Sequence, residues 1–265
     1  MAVELKLGLH AIGFVRFLPN DQIRGMGSGT CVRFGKLRGI LTADHVVDKW
    51  DRDNEVGLVQ FPIRENQFQR TRLPRKYLDE VRVGFKPYDD TGPDIAFVKL
   101  PLVEGGSIEA ASSFFDFEKQ RELAFKSPPH NADQFDFVAG IIEKWQGQPS
   151  VQGQMAKTVI NGLLNMGDAV PISDGRDGYD RLRFTPTPEK GFALPPTYGA
   201  TSGGGLMRLF LEKGTKNMIE LRLLGPVYYE TAPKEGAVRD LICHGPHSIY
   251  ERLAEKIKGK WANEI

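Results

Sequence analysis

Short apolar segments, separated by turn residues, fill the first part of the chain. Residues 10–18 and 95–100 are mostly apolar, and residues 81–85 alternate apolar and polar side chains. None of these segments has the 3.6-residue period of a helix, so each indicates a β-strand. With similar segments at 31–34, 39–47 and 56–63, we predict about six strands and no helix here, enough to close a small barrel.

The apolar pattern loosens between residues 101 and 134 and then resumes. Gly- and Pro-rich turns separate the later segments, as is typical of all-β proteins. They predict six further strands, at 135–142, 157–164, 181–184, 206–211, 219–229 and 237–242. We therefore expect an all-β protein with two domains, residues 1–110 and residues 111–265, each an antiparallel six-stranded β-barrel.

A C-terminal α-helix is predicted over about residues 247–264. Ser248 and Glu251 have the spacing of a capping box, in which each side chain accepts an otherwise unpaired backbone N–H. Ile249, Leu253 and Ile257 then fall on one face of the helix, with basic residues on another. We expect the apolar face to pack on the second barrel.

Composition and charge exclude several classes of partner. The 265 residues are 40% hydrophobic and 26% charged, which is typical of a globular protein. A net charge of +1 gives no field that would attract nucleic acid or an anionic membrane, so neither is an expected partner. Glu4 and Lys6 interrupt the N-terminal segment where a secretory signal needs apolar residues, and no segment is long enough to span a membrane. We expect a cytoplasmic protein whose two cysteines, Cys31 and Cys243, are reduced and buried.

Candidate chemistry centres on Ser202, which lies among small residues that suit a tight turn. A serine hydroxyl is a weak nucleophile and needs a neutral imidazole to take its proton and a carboxylate to orient that imidazole. His45 follows an apolar segment, and Asp94 directly precedes one. Each residue has a plain structural alternative: a core histidine, a turn aspartate and a loop serine. Their joint occurrence favours the catalytic interpretation.

Four motifs surround these residues: Gly27-Ser28-Gly29, Leu41-Thr42-Ala43-Asp44-His45-Val46-Val47, Asp94-Ile95-Ala96 and Ser202-Gly203-Gly204. Together, in the order His, Asp, Ser, they resemble the trypsin-like serine peptidases and above all their bacterial branch without disulfides, which includes the HtrA type. The resemblance implies two chymotrypsin-like barrels and a serine endopeptidase. It implies that Ser202 is the nucleophile, His45 the general base and Asp94 the orienting carboxylate.

The chain departs from this family beside the nucleophile. Position 200 is alanine where the family has glycine, and we expect the backbone N–H groups of Ala200 and Ser202 to form the oxyanion hole. Either the hole is present in the empty enzyme, or substrate or an activating protein partner orders it. Thr201 replaces the aspartate of digestive relatives, so activation by N-terminal trimming is not expected. The alternative from another class is a catalytically silent peptidase fold that serves as an interaction module.

The resemblance places two segments, residues 195–197 and residues 224–230, around the substrate side chain that precedes the scissile bond. Neither offers the acidic floor that selects Arg or Lys, so we predict a protein or peptide substrate with a small or medium apolar residue before the scissile bond. Two tyrosines would narrow the pocket, although they fit a barrel core equally well. The implied substrate-binding residues are Pro196, Thr197, Tyr228, Tyr229 and Glu230.

Two weaker signals are assigned no function. His244 and His247 lie close to Cys243, but no second cluster completes a tetrahedral site, so neither a metal nor another cofactor is expected. Residues 70–76 are basic without interleaved aromatic residues, and we expect a solvated loop there.

Overall fold

The structure is a computed structural model. It describes residues 7–18, 22–51, 53–61, 69–143, 150–152, 155–157, 162–188, 193–234 and 238–265. The fold is mostly β, with one open sheet in the first half, one closed barrel in the second and a C-terminal helix.

Eight strands form the first sheet. Their order is β5-β4-β1-β2-β3-β7-β6, every neighbouring pair is antiparallel, and the short β8 pairs parallel with β2. The strands are β1 (Ala11–Phe17), β2 (Ile23–Phe34), β3 (Leu37–Thr42), β4 (Glu55–Gln60), β5 (Gln69–Pro74), β6 (Asp79–Gly84), β7 (Asp94–Lys99) and β8 (Phe115–Asp116).

This sheet is not the closed six-stranded barrel that the pattern predicts. Among the described residues no hydrogen-bonded ladder joins its edge strands, β5 and β6. Pro74, which has no N–H to donate, ends β5, and a 3-10 turn over Arg75–Tyr77 leads the chain into β6. The Arg75 guanidinium holds this corner by hydrogen bonds to Glu80 (2.5 Å) and Asp51 (3.1 Å). Much of the basic stretch expected to be a loop is therefore strand β5.

Within the described residues, three α-helices of seven or eight residues accompany the first sheet: α1 (Asp44–Trp50), α2 (Leu102–Glu109) and α3 (Phe117–Ala124). The first of them corrects two predictions, because this region was expected to contain no helix and its strand was expected to run to residue 47.

Burial of Asp44 explains why the chain turns into α1. This carboxylate is 4% exposed and accepts hydrogen bonds from Arg82 Nε (2.5 Å) and the Tyr88 hydroxyl (2.8 Å). Val46 and Val47 are fully buried on the helix. Two adjacent valines favour a strand locally, but the ion pair between buried Asp44 and the partly exposed Arg82, 38 positions away, favours the turn into the helix.

The second half contains the predicted closed barrel, with all six pairs antiparallel and the order β12-β13-β16-β15-β14-β9. A separate hairpin, β10 (Ser150–Gln152) and β11 (Met155–Lys157), precedes β12, and part of the predicted segment 157–164 lies outside the described residues. The barrel strands are β9 (Ala132–Ile141), β12 (Gly162–Ile172), β13 (Arg181–Pro186), β14 (Gly205–Glu212), β15 (Met218–Glu230) and β16 (Leu241–His244).

The predicted C-terminal helix is confirmed, but its capping box is wrong. A π-helical turn over Ser248–Leu253 leads into α4 (Ala254–Trp261). Asp180, which precedes β13, accepts the N–H groups of His247 (3.1 Å) and Ser248 (2.6 Å). The Ser248 hydroxyl also donates to Asp180, at 2.5 Å, so the cap comes from another part of the chain.

A single aromatic-rich core joins the two halves and the C-terminal helix. Phe34 of β2 contacts Phe117 of α3 with ring centroids 5.3 Å apart, and Phe117 contacts Tyr250 at 4.9 Å. Burying one such ring stabilises the fold by roughly 1.5–3 kcal/mol. Both cysteines are free and buried as predicted, and burial raises the pKa of the Cys31 thiol to about 12. None of the described helices has the length and apolarity needed to cross a bilayer.

Candidate active site

The structure brings His45 and Asp94 into direct contact. His45 lies in the first turn of α1, and Asp94 is the first residue of β7. Nδ1 of His45 is 2.5 Å from Oδ2 of Asp94, and the backbone N–H of His45 donates to Oδ1 at 2.9 Å. Asp94 is 1% exposed. The carboxylate therefore fixes both the position of His45 and the direction of its ring.

Ser202 lies in a turn that is fastened to the same region of the first sheet. The Ser28 N–H donates to the Ser202 carbonyl (2.7 Å), and the Thr42 hydroxyl donates to the Ser28 carbonyl (2.7 Å). A methyl group placed on Gly203 would lie 2.0 Å from the Ser28 carbonyl oxygen and 2.1 Å from Thr42 Oγ1. This position accepts only glycine, and the close approach carries the Ser202 turn to the end of β3, three residues before His45.

The serine–histidine contact itself is open. Within the part of the chain that the structure describes, neither the Ser202 hydroxyl nor Nε2 of His45 makes a hydrogen bond. Such contacts are often long or misaligned in empty sites and tighten when substrate binds. The three predicted catalytic residues thus share one region, with two of them in hydrogen-bond contact.

An anchored peptide group fixes the direction of the Ala200 N–H. Ala200 has a φ of +70°, in the left-handed region. The preceding carbonyl, of Gly199, accepts the N–H of Glu143 at 2.9 Å. In a trans peptide the carbonyl and the next N–H point in opposite directions, so the Ala200 N–H points away from Glu143.

The Ser202 N–H is oriented in the same manner. The Thr201 carbonyl accepts the N–H of Gly204 (2.8 Å), which turns the Ser202 N–H away from Gly204. Among the described residues, the N–H groups of Ala200 and Ser202 donate to no acceptor. An oxyanion hole requires two unpaired donors on one turn, and the Ala200 and Ser202 N–H groups are candidates for them.

Ser28 braces this turn, a role that the sequence did not reveal. Its hydroxyl donates to the Ala200 carbonyl (2.7 Å) and accepts the N–H of Ile141 (2.8 Å), and Ser28 is fully buried. Thr201 is fully buried too, with its hydroxyl donating to the Ile141 carbonyl (3.1 Å). The one available signal was a small polar residue between two glycines in the motif that begins at Gly27.

Three of the five predicted substrate-binding residues line a cleft with His45. The cleft holds about 430 Å³ and is bounded by His45, Asp48, Lys49, Tyr88, Tyr228, Tyr229 and Glu230. Tyr228 is 3% exposed, whereas Tyr229 is 37% exposed. Burial raises the pKa of Tyr228, so its hydroxyl remains a neutral donor, and it donates to the Asp90 carbonyl at 2.7 Å. Tyr228 therefore fills the core and forms the cleft wall at once.

Pro196 and Thr197 lie on the neighbouring segment, which Glu230 and Arg239 join to β15. Glu230 accepts the N–H of Tyr198 (3.1 Å) and pairs with Arg239 (3.1 Å). Arg239 also donates to the Pro196 carbonyl at 2.8 Å. Pro196 is exposed and Thr197 half-buried. Because Glu230 is already paired, its charge is compensated and it provides no free acidic floor.

A second cleft includes Ala200 and shares Lys49 with the first. It holds about 350 Å³ and is lined by Arg16, Arg24, Gly25, Met26, Lys49, Glu143 and Ala200. Arg24 pairs with Glu143 (2.9 Å) and Arg16 with Asp53 (2.8 Å). Ala200 is therefore flanked by mixed charge, while His45 is flanked by tyrosines. A chain bound across the site would meet both surfaces.

The described residues contain no group of three or more His, Cys, Asp or Glu side chains arranged to hold a metal ion. The sequence analysis considered His244 only as a possible metal ligand. In the structure it contacts Asp94, because its Nε2 accepts the Asp94 N–H at 3.0 Å. No protein-family model matches the chain, and no curated protein matches it.

Proposed function

We propose that the protein is a serine endopeptidase that hydrolyses peptide bonds through an acyl-enzyme on Ser202. The observation that carries the proposal is the two-point contact of His45 with the buried Asp94, beside a turn that presents Ser202 and two unpaired N–H groups. The mostly β fold with a closed antiparallel barrel is compatible with a chymotrypsin-like peptidase.

The proposed mechanism begins with proton transfer. With its Nδ1 proton donated to Asp94, His45 keeps the lone pair of Nε2 for the proton of Ser202. The serine oxygen attacks the scissile carbonyl, and the oxyanion accepts the N–H groups of Ala200 and Ser202. His45 then gives its proton to the leaving amine, which leaves an ester on Ser202. Water, activated by His45, hydrolyses this ester and restores the serine.

The geometry of the turn favours an oxyanion hole that exists before substrate binds. Ser28 holds the Ala200 carbonyl and Glu143 holds the Gly199 carbonyl, so the two peptide groups around Ala200 are each fixed. Losing one oxyanion donor costs about 2.7–4 kcal/mol of transition-state stabilisation. Alanine at position 200 therefore does not by itself exclude activity.

The substrate proposed is a polypeptide with a small or medium apolar residue before the scissile bond. The pairing of Glu230 with Arg239 supports this, because a basic substrate side chain would find its countercharge already occupied. Tyr228 and Tyr229 add aromatic walls that suit apolar groups.

A fluorophosphonate probe tests the proposal. Wild-type protein is expected to be labelled and to cleave a peptide library mainly after small or medium apolar residues, whereas Ser202→Ala loses both. Ser107→Ala, at an exposed serine of α2, is the matched control and should be labelled like wild type. Labelling that persists in Ser202→Ala would reject Ser202 as nucleophile, and cleavage mainly after Arg or Lys would reject the substrate class alone.

The open Ser202–His45 contact favours a second candidate, a peptidase that stays inactive until a protein partner closes it. Its expected result is an unlabelled wild-type protein that becomes labelled when the partner is added. The third candidate is a catalytically silent interaction module. For it we expect no labelling of wild-type protein, with or without a partner.

A further inference from the structure

The side chain of His244 lies behind the candidate active site at the end of β16. It is 0% exposed, and its Nε2 accepts the backbone N–H of Asp94 at 3.0 Å. An imidazole that accepts at Nε2 carries its single proton on Nδ1. Burial lowers the pKa of His244 to about 4, which keeps the ring a neutral acceptor at neutral pH.

Folding alone does not account for a histidine at this position. Nδ1 of His244 lies near the backbone of Asp180, which favours a proton on the ring, but it makes no hydrogen bond of good geometry with any described residue. Burying a polar ring without full hydrogen bonding is unfavourable, and an apolar side chain would avoid that cost. The hydrogen bond to Asp94 is thus the interaction that a leucine or methionine could not provide.

Asp94 is held from two directions. Its carboxylate is bound by the backbone and ring of His45, and its backbone N–H is bound by His244. Asp94 is also the first residue of β7, opposite Gly84 of β6, where the strand ladder begins. His244 therefore fixes the strand end from which the carboxylate projects.

The cleft wall packs directly on this histidine. The rings of Tyr228 and His244 are stacked, with centroids 4.3 Å apart and an interplanar angle of 22°. On another side, a methyl group placed on Gly92 would lie 3.2 Å from Cε1 of His244. Tyr228 lines the cleft beside His45, so a group bound there would contact the same ring that stacks on His244.

We propose that His244 is a positioning residue that holds the Asp94 backbone so that its carboxylate keeps His45 aligned, and that Tyr228 connects it to the substrate cleft. The expected effect of His244 on turnover rests on the proposed peptidase function. Its effect on the His45–Asp94 contact is independent of activity.

Two variants separate positioning from packing. Glutamine can place an oxygen acceptor near the Nε2 position of histidine, whereas asparagine is too short to do so. We expect His244→Gln to keep turnover within about threefold of wild type, and His244→Asn to lower kcat about 100-fold with KM changed less than about threefold. His10→Gln and His10→Asn are the matched controls, because His10 is a stacked histidine next to Phe115, and we expect their turnover to equal that of wild type.

Proton NMR of the Nδ1–H of His45 provides a readout besides turnover. The resonance of this proton, hydrogen-bonded to Asp94, should persist in wild type and His244→Gln and exchange with water much faster in His244→Asn. Equal behaviour of the two His244 variants in this measurement would overturn the proposal. If wild-type protein neither labels nor cleaves, constitutive peptidase activity is rejected, while the NMR comparison still decides the role of His244.

Discussion

Ala200 is the residue at which the chain departs most clearly from the family it resembles. Its φ of +70° is a conformation that costs a non-glycine residue roughly 1–2 kcal/mol. Its methyl group packs in a small cluster with Val15, Ile23, Val59 and Ile141, which returns part of that cost. Together with the hydrogen bond from Ser28, this packing explains how alanine holds a conformation suited to glycine.

Substitutions at position 200 should separate backbone strain from the loss of a side chain. Ala200→Gly removes the strain but also the buried methyl group, so we expect the free energy of unfolding to change by less than about 1 kcal/mol and turnover to be kept. Ala200→Val places a β-branched residue at positive φ, and we expect turnover to fall about 10²–10³-fold, as for a lost oxyanion donor. Urea denaturation and steady-state kinetics measure the two effects. Unchanged kcat in Ala200→Val would show that this amide is not an oxyanion donor.

At the scale of elements, the C-terminal helix depends on a cap from outside itself. The Asp180 carboxylate accepts the N–H groups of His247 and Ser248, which begin the helix. Asp180→Ala should lower the free energy of unfolding by about 1–2 kcal/mol, since both donors lose their acceptor. Asp174→Ala, at an exposed aspartate six residues earlier, should change it by less than about 0.5 kcal/mol. Chemical denaturation compares them, and equal stabilities would contradict this assignment of the cap.

The spacing of apolar residues predicted those elements whose buried faces depend on residues close together in the sequence. Strands β9, β13, β14 and β15 and the helix face carrying Ile257 follow from residues adjacent in sequence, whereas β12 and β16 begin and end later than predicted. The start of α1 and the helix cap did not follow, because Asp44 is fixed by Arg82 of β6 and Ser248 by Asp180. The prediction that the first sheet closes into a barrel was wrong for a related reason. The number of strands does not reveal whether the two edge strands form hydrogen bonds with each other.

Short motifs predicted part of the site. Contacts between residues far apart in the sequence could not be predicted from it. His45 and Asp94 were paired from short motifs, and the structure places them in contact. The hydrogen bond between His244 and Asp94 joins residues 150 positions apart, and no local pattern marks it. Ser28 was visible as part of a motif, but its bond to Ala200 depends on how the two halves pack.

At the scale of the whole molecule, a buried neutral histidine makes stability depend on pH. His244 has a pKa of about 4 in the folded protein, against an ordinary value of 6.5, with burial outweighing the nearby Asp94 and Asp180 carboxylates. Below 6.5 the unfolded chain binds a proton that the folded protein binds only near pH 4, so stability is lost as the pH falls through this window. We expect His244 to lower the free energy of unfolding by about 2 kcal/mol between pH 7 and pH 5.

Urea denaturation of wild type and His244→Gln at both pH values measures this contribution. The loss of stability on acidification should be about 2 kcal/mol smaller in the variant. His10, whose pKa burial also lowers to about 4, is present in both proteins and contributes equally. An identical loss in the two proteins would contradict the assignment.

The bond from Ser28 to Ala200 spans 172 positions of the chain. During synthesis on the ribosome the first sheet emerges before the turn that carries Ser202, and this turn needs Ser28 of the sheet to fix its peptide groups. Neither a nascent chain nor a fragment of either half would then have a completed centre. If the proposed peptidase function holds, proteolytic activity would appear only after both segments have left the ribosome and packed together.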